Sequence, residues 1–250
     1  MAVRDAIILA AGVGRRLGDY TGERPKSLLE IGGKTLMERH LERLAACGVE
    51  TVRIVTGHCA DQIRDRFGDA HGNLAVRYVD NPEYRLGSIL SLLHGLRDLD
   101  PDAGRVVWMD ADVLYHPRVL EGLVADESPL TFLLDSHTPD GDEEMILGVR
   151  DGRVLRIDRG KHGDWDLTGE SVGFFAIGAA DRLRFTEHVA AYAAAGHENA
   201  EYEEALNAFL PTIEAGYVDV GGLPWTEIDF PEDVAKAEQV LTRIRKSTLE

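Results

Sequence analysis

The chain has 250 residues, 44% of them hydrophobic and 28% charged, which fits one soluble globular domain with a substantial core. Its formal charge of −17 argues against nucleic acid or an anionic membrane surface as partner. Two cysteines, Cys47 and Cys59, are too few for a disulfide framework. No signal peptide, lipidation motif or membrane-length apolar run is read, so the cytoplasm is the expected compartment.

The first predicted element is a buried parallel strand over Ala6-Ile7-Ile8-Leu9. Ala10, Ala11, Gly12 and Gly14 follow, small enough for the backbone to turn sharply and approach a ligand closely. Arg15, Arg16, Arg24 and Lys26 then place four cations within twelve residues. Bare amides beside fixed positive charge suit a polyphosphate. Residues 1–34 carry six Lys/Arg against four Asp/Glu, a positive island in an acidic chain. Two familiar phosphate loops fail on specific residues. The G-x-G-x-x-G fingerprint meets Leu17 at its third glycine, and the strand Val52 to Thr56 ends in Thr56-Gly57-His58 without a carboxylate. A Walker loop needs glycine where Pro25 precedes Lys26-Ser27.

A helix is predicted over Leu36 to Ala46 from Leu36, Met37, His40, Leu41 and Leu44, ending before Gly48. Strand VRIVTG, helix ADQIRDRF, strand LAVRYV, helix ILSLLHGL and strand RVVWMDAD follow. That alternation, without a dividing linker, predicts an α/β fold: one doubly wound, mainly parallel mixed sheet with helices on both faces, over a single domain spanning 1–250. Ligands in such sheets bind beyond the carboxyl ends of the strands. Leu9-Ala10-Ala11 and Asp110-Ala111-Asp112 both fall at such ends and are expected to share one crevice. Asp110 and Asp112 are hard oxygen ligands at i and i+2, which points to Mg²⁺ beside phosphates. Near the C-terminus Glu227 and Asp229 alternate onto one side of a strand-like segment. Pro231 then suits the first turn of a helix, with Glu232 and Asp233 at its positive end. His40 and His94 sit in helical, partly apolar surroundings and are read as structural, and Gly160 to Gly169, with Trp165, is read as a mobile loop.

Leu9, Ala10, Ala11, Gly12, Gly14, Arg16, Pro25, Lys26 and Leu28 together resemble the opening signature of the nucleoside-triphosphate transferase superfamily, L-A-A-G-x-G-x-R followed by P-K-x-L. The resemblance implies a Rossmann-like, GT-A-like nucleotidyltransferase. It makes Asp112 a metal ligand with Asp110 supporting it or binding a water of the metal shell. Asp229 becomes the second ligand, with Glu227 behind it.

Further segments are similar to phosphocholine and phosphonate cytidylyltransferases and lie in that family's order. They are Asn81-Pro82-x-Tyr84, Gly87-Ser88, Ser91-Leu92, Asp142-Glu143-Glu144-Met145, Asp151-Gly152-Arg153, Gly169-Glu170-Ser171-Val172-Gly173 and Tyr202-Glu203-Glu204-Ala205-Leu206. The implied reaction moves CMP from CTP onto a small phosphate or phosphonate acceptor and releases pyrophosphate, with Mg²⁺ as cofactor. Lys26, Arg16, Asp112 and Asp229 are the implied catalytic set. Leu9, Ala10, Ala11, Gly12, Gly14, Arg15, Arg16, Lys26, Asn81, Gly87 and Ser88 are the implied nucleotide-binding residues. A cationic acceptor wants carboxylates and aromatic faces near its nitrogen. Asp135, Glu144, Glu170, Tyr202, Glu203 and Trp225 are available for that, with an acceptor-binding insertion at roughly 130–215. Gly87-Ser88 stands where that family often carries Asn-Asn or Thr-Asn. Inositol-1-phosphate and sugar-1-phosphate transferases therefore stay open as alternatives, as does a catalytically silent nucleotide-binding subunit. Retention of Lys26, Asp112 and Asp229 together speaks against the last. Partners are then a nucleoside triphosphate and a phosphorylated small molecule, with homodimerisation left open.

Overall fold

The computed structural model describes residues 2–20, 24–138, 144–160 and 163–248, with the side chains of Arg15, Asp19 and Tyr20 outside that description. In chain order, β1 (Asp5–Ala10) leads through the glycine-rich segment to a short hairpin, β2 (Glu30–Ile31) and β3 (Lys34–Thr35). The expected alternation follows as α1 (Leu36–Ala46), β4 (Thr51–Thr56), α2 (Ala60–Phe67), β5 (Ala70–His71), β6 (Leu74–Asp80), α3 (Ser88–Arg97) and β7 (Val106–Asp110). Next come β8 (Val113–Tyr115), α4 (Pro117–Ala125), β9 (Leu130–Asp135), β10 (Met145–Arg150), β11 (Arg153–Arg159) and the long β12 (Leu167–Ile177). They are followed by α5 (Ala179–Tyr192), α6 (Tyr202–Phe209), β13 (Ala215–Asp219), β14 (Trp225–Glu227) and α7 (Pro231–Ser247).

The main sheet orders as β11-β10-β12-β7-β1-β4-β6-β5, with β9 beside β12 and β13 beside β9. Its centre, β7-β1-β4-β6, is parallel. Beyond β7 the sheet turns antiparallel through β12, β10 and β11. The period-2 alternation of β1 feeds both faces, which is why helices cover both. Ile7 packs with α3, α5 and α6 through Leu92, Phe185 and Leu206, while Ala6 and Ile8 pack with α1 and α4 through Met37, Leu41 and Leu120. Trp108 is fully buried, its ring stacked on Phe175 at 5.2 Å and on Phe185 at 5.5 Å. Burial of each such side chain contributes ~1.5–3 kcal/mol. A third cluster seats α7 over Leu17, Ile31, Leu114 and Ile228. Leu17, the residue that spoiled the dinucleotide fingerprint, is a fully buried peg holding the glycine-rich segment under that helix.

The amino edge of the sheet is closed by a different device. Arg53 on β4 is fully buried and donates to Asp5 at 2.6 Å, Asp98 at 3.1 Å and Asp100 at 3.0 Å. The carboxyl edge is left for the site.

Two sequence expectations need correction. The RVVWMDAD strand breaks after Asp110, because Ala111 and Asp112 form a turn that sends β8 away from the sheet. The segment expected as a mobile loop is shorter than Gly160 to Gly169, since β12 begins at Leu167. Trp165 packs so close to Gly148 that a Cβ there would lie 2.4 Å from its ring, and Arg150 stacks on it at 5.2 Å. Lys161 and His162, and Asp142 and Glu143 of the cytidylyltransferase-like pattern, lie outside the described residues. Among the described residues no helix is long and apolar enough to cross a membrane.

Candidate active site

Strand register decides where the site falls. Leu9 lies opposite Asp110, so β1 and β7 deliver their carboxyl ends to one place. From the turn at Ala111-Asp112, β8 runs against β14 with Val113 opposite Glu227 and Tyr115 opposite Trp225. The Ile228 N–H donates to the Asp112 carbonyl at 3.1 Å. This ribbon lays the C-terminal acidic segment beside the turn, and one oxygen each of Asp112, Glu227 and Asp229 falls within 4.8 Å of the others. Asp229 is fixed by the start of α7, where Asp233 Oδ2 accepts from the N–H groups of Asp229 at 3.0 Å and Phe230 at 2.8 Å. Asp233 is thus the acidic cap expected at a helix N-terminus.

Lys26 sits among these carboxylates. Its Nζ donates to Asp112 Oδ2 at 2.7 Å and to Asp229 Oδ1, and the side chain is 15% exposed. Burial alone would lower its pKa, but the charges and hydrogen bonds of Asp112 and Asp229 outweigh burial and hold it above the usual lysine value. Arg16 donates to Asp229 Oδ2 at 3.3 Å and lies over the Phe230 ring. Asp112 Oδ1 is buried without a partner. Glu227 is exposed to the crevice, yet desolvation by the surrounding walls and the charges of Asp112 and Asp229 push its carboxyl up to about 8, against the pull of Lys26. Asp110 is raised well above the carboxylate range by burial, then by Asp112 and Glu203, although the Tyr202 hydroxyl donates to its Oδ2 at 2.7 Å. Gly173, at φ +77 in the bulge of β12, lets Asp110 sit there, since a Cβ would lie 2.5 Å from Asp110 Oδ2.

The acidic groups and Arg16 open into a crevice of about 850 Å³, while Lys26 is bonded to Asp112 and Asp229 and is not itself part of the lining. Leu9, Arg16, Ser88, Asp110, Asp112, Glu227 and Asp229 line it, and so do Asp135, Glu144, Glu170, Tyr202, Glu203 and Trp225. Asp135 accepts from Trp225 Nε1 at 2.7 Å and from the His137 N–H at 2.9 Å, which fixes the indole in the wall. Glu170 pairs across the strands with Asp135 and accepts from Thr138 Oγ1 at 2.8 Å. Burial, then Glu144 and Asp135, raises the Glu170 pKa despite that bond. Glu144 Oε2 is buried without a partner. Burial and Glu201 push Glu203 up to about 7.

The family model described as the MobA-like NTP transferase domain matches residues 6–140, more than half of the chain. The chain belongs to the MobA-like NTP transferases. A bifunctional IPC transferase and DIPP synthase of Rubrobacter xylanophilus is 31% identical over 242 residues, covering 94% of this chain and 51% of that protein. The chain thus spans about half the length of such bifunctional relatives. A 2-aminoethylphosphonate cytidylyltransferase of Lancefieldella rimae is 25% identical over 236 residues, covering 92% of this chain and 90% of the relative. The solved inositol-1-phosphate CTP transferase from T. maritima shares the fold, with a TM-score of 0.79 at 21% identity over 98% of this chain and 97% of that one.

Not every site residue expected from sequence reaches the crevice of this MobA-like domain. Ala10, Ala11, Gly12 and Gly14 run on from β1 at the same edge without lining the crevice, and the Ala11 carbonyl accepts from the His58 N–H at 3.1 Å. The side chain of Arg15 lies outside the description. Asn81 is buried at 1% exposure, and its amide is spent locally: Nδ2 donates to Ser91 Oγ at 3.0 Å and Oδ1 accepts from the Glu83 N–H at 2.9 Å. Gly87 is pressed against the backbone, where a Cβ would lie 2.0 Å from the Ala200 carbonyl oxygen, so the fold itself demands glycine there. The Tyr202 hydroxyl is committed to Asp110, and its N–H donates to Ser88 Oγ at 2.9 Å. Sequence reasoning missed Thr138, Arg159 and Lys236, which also line the crevice. Lys236 had a signal: it stands three residues after Asp233, on the same face of the helix that starts at Pro231.

Proposed function

We propose that the chain transfers a cytidylyl group from CTP to a small phosphate or phosphonate that also carries a cationic group, of the phosphocholine or 2-aminoethylphosphonate kind. The observation that carries the reading is Lys26 held between Asp112 and Asp229 at the joined carboxyl ends of β1 and β7. Both reactants are anions, so repulsion must be cancelled while they are held in line. An acceptor oxygen attacks the α-phosphorus, a new P–O bond forms, and the bond to the bridging oxygen breaks. Pyrophosphate leaves with that electron pair. The acceptor oxyanion is already ionised at neutral pH, so no histidine is needed as base. The Ala10–Gly14 backbone and Arg16 take the β- and γ-phosphates, and Lys26 takes the α-phosphate or the acceptor. A Cβ on Gly12 would meet no protein atom within 4 Å, so internal packing does not require glycine there, while close approach of a phosphate does.

The donor set fits a hard divalent cation. Asp112 Oδ1 is a buried oxygen without a partner, and it belongs to a trio of carboxylates whose oxygens lie within 4.8 Å. Asp112, Asp229 and Glu227 would hold Mg²⁺, with Asp110 behind them. Bound there, Mg²⁺ supplies charge neutralisation and orientation of the phosphates.

The crevice walls favour a cationic acceptor. Outside Asp110 and the metal trio, six carboxyl groups line it, Asp135, Glu144, Glu170, Glu201, Glu203 and Asp233, against three described cations, Arg16, Arg159 and Lys236, of which Arg16 and Arg159 are already paired with Asp229 and Glu201. A phosphorylated acceptor approaches such a wall favourably only with positive charge of its own. The 130–215 segment carries Asp135, Glu144, Glu170, Tyr202 and Glu203 and is assigned to the acceptor. The choice of CTP is supported by the cytidylyl chemistry in the relatives' names. The reading places the reaction in the cytoplasm, where CTP is made.

The test is pyrophosphate release with Mg²⁺ across CTP, UTP, GTP, ATP and dTTP, each crossed with phosphocholine, 2-aminoethylphosphonate, inositol-1-phosphate and several sugar-1-phosphates. Signal with CTP and a cationic acceptor is expected. Turnover confined to inositol- or sugar-phosphates overturns the acceptor reading, and a silent grid with nucleotide still bound overturns catalysis.

A further inference from the structure

We propose that His40 is a positioning residue for the carboxylate trio, acting through the Ala111 carbonyl and the Tyr115 hydroxyl. The inference rests on the reading that Asp112, Glu227 and Asp229 hold a divalent cation. His40 lies on α1 and is fully buried, with Nε2 3.2 Å from the Ala111 carbonyl oxygen and Nδ1 3.3 Å from Tyr115 Oη. A carbonyl oxygen only accepts, so Nε2 carries the proton and donates to Ala111. Nδ1 is then the acceptor, and the Tyr115 hydroxyl donates to it. The imidazole is neutral, both nitrogens are used, and the ring is clamped by stacking on Tyr115 at 5.4 Å and by the edge of Phe174 at 6.1 Å.

One side chain thereby ties down both ends of residues 111–115. Ala111 separates Asp110 from Asp112, and Tyr115 lies opposite Trp225 on β14, two residues before Glu227. The ribbon of β8 and β14 sets the distance from Asp112 to Glu227 and Asp229, and it has only three residues in each strand. α1 is a firm support for it: Thr35 Oγ1 caps its first turn at 3.1 Å, and Leu36, Met37, Leu41 and Leu44 are buried. Loss of the His40 contacts frees the turn to shift by fractions of an ångström, which metal affinity feels. Removing groups that orient ligands typically weakens metal binding by about 10–100-fold.

The test is direct titration of the protein with Mn²⁺ alone, followed by electron paramagnetic resonance. His40→Gln can still present an N–H to the Ala111 carbonyl, whereas His40→Asn is too short for it and reaches only toward Tyr115. The expected result is near-native affinity in His40→Gln and affinity lower by about tenfold or more in His40→Asn. Leu41→Ala, a buried change on the same helix at a side chain that makes no hydrogen bond to residues 111–115, serves as the stability control and is expected to bind Mn²⁺ normally while melting lower. Equal Mn²⁺ affinity in the Gln and Asn variants overturns the proposal, as does a Leu41→Ala variant that loses affinity as much as His40→Asn. Unaltered protein that takes up no Mn²⁺ refutes the metal reading itself, and the His40 proposal with it.

Discussion

Lys26→Met is the perturbation that reads the site most directly, because it removes one charge and little volume. Lys26 bonds both Asp112 and Asp229, whereas Arg16 makes a looser contact to Asp229 alone. At 2.7 Å and an effective dielectric near 20, the Lys26–Asp112 pairing alone has a Coulomb attraction of about 6 kcal/mol before desolvation is subtracted. Breaking a buried pair by removing one partner costs about 3–5 kcal/mol, since the remaining charge is left uncompensated. Side-chain exposures of 20% at Asp112 and 28% at Asp229 leave some access to water and place this case at the low end, about 3 kcal/mol. For a chain of this length that corresponds to a melting point lower by ~6–12 °C. The assay is thermal unfolding in EDTA and again with Mg²⁺. The variant should melt lower in EDTA and recover with Mg²⁺, which takes over the neutralising role, and its Mg²⁺ shift should exceed that of the unaltered protein. Melting within ~2 °C of the unaltered protein in EDTA, or equal Mg²⁺ shifts, would refute the electrostatic account.

Lys26→Ala and Asp112→Ala should each reduce pyrophosphate release by at least about 100-fold, the scale of losing a main electrostatic stabiliser; near-normal rates in both would end the proposed mechanism. Asp229→Ala should raise the Mg²⁺ concentration needed for half-maximal turnover, and an unchanged Mg²⁺ curve would take Asp229 out of the site. His40 is pushed down to about 4 by burial, below its ordinary 6.5, so the unfolded chain binds the extra proton. Its contribution is therefore intact above pH 6.5 and is lost as pH falls toward 4, by about 3 kcal/mol; urea midpoints at neutral and acid pH should show this slope in the native protein and a flatter one in His40→Gln. Arg53→Met should cost about 2–3 kcal/mol by stranding Asp5 at the amino edge, discounted because Asp98 and Asp100 are about half exposed. It should lower the urea midpoint without touching turnover, and a kinetic defect would show that the two edges of the sheet are coupled.

What was legible in this chain was local. The run Ala6 to Leu9 with its small residues and the 3.6-residue spacing from Leu36 to Leu44 each carry their structure within a dozen residues and form the strand and helix expected, while the strand expected over RVVWMDAD forms but stops at Asp110. The alternation places both segments at carboxyl ends of strands, and the sheet order, which sets β7 beside β1, joins those ends in one crevice. What was not legible depends on residues distant in sequence. Lys26 meets partners 86 and 203 positions away, and sequence spacing assigns it to phosphate with no hint that carboxylates hold it first. Asn81 has the chemistry to read a base, but an asparagine before proline also favours an Asx turn, and here the turn and Ser91 consume the amide. Gly87 answers to the backbone of Ala200, more than a hundred residues on, a reason no pattern around Gly87 contains.

The acidic C-terminal segment falls between these cases. Alternation put Glu227 and Asp229 on one side of a strand, yet β14 stops at Glu227, and Asp229 is held by the first turn of α7 through Asp233. Two carboxylates that look equivalent in sequence therefore have different supports: Glu227 follows the ribbon, and Asp229 follows the helix. A change confined to the ribbon should move Glu227 relative to Asp229. That is why His40, which touches none of the three carboxylates, is placed to tune their spacing.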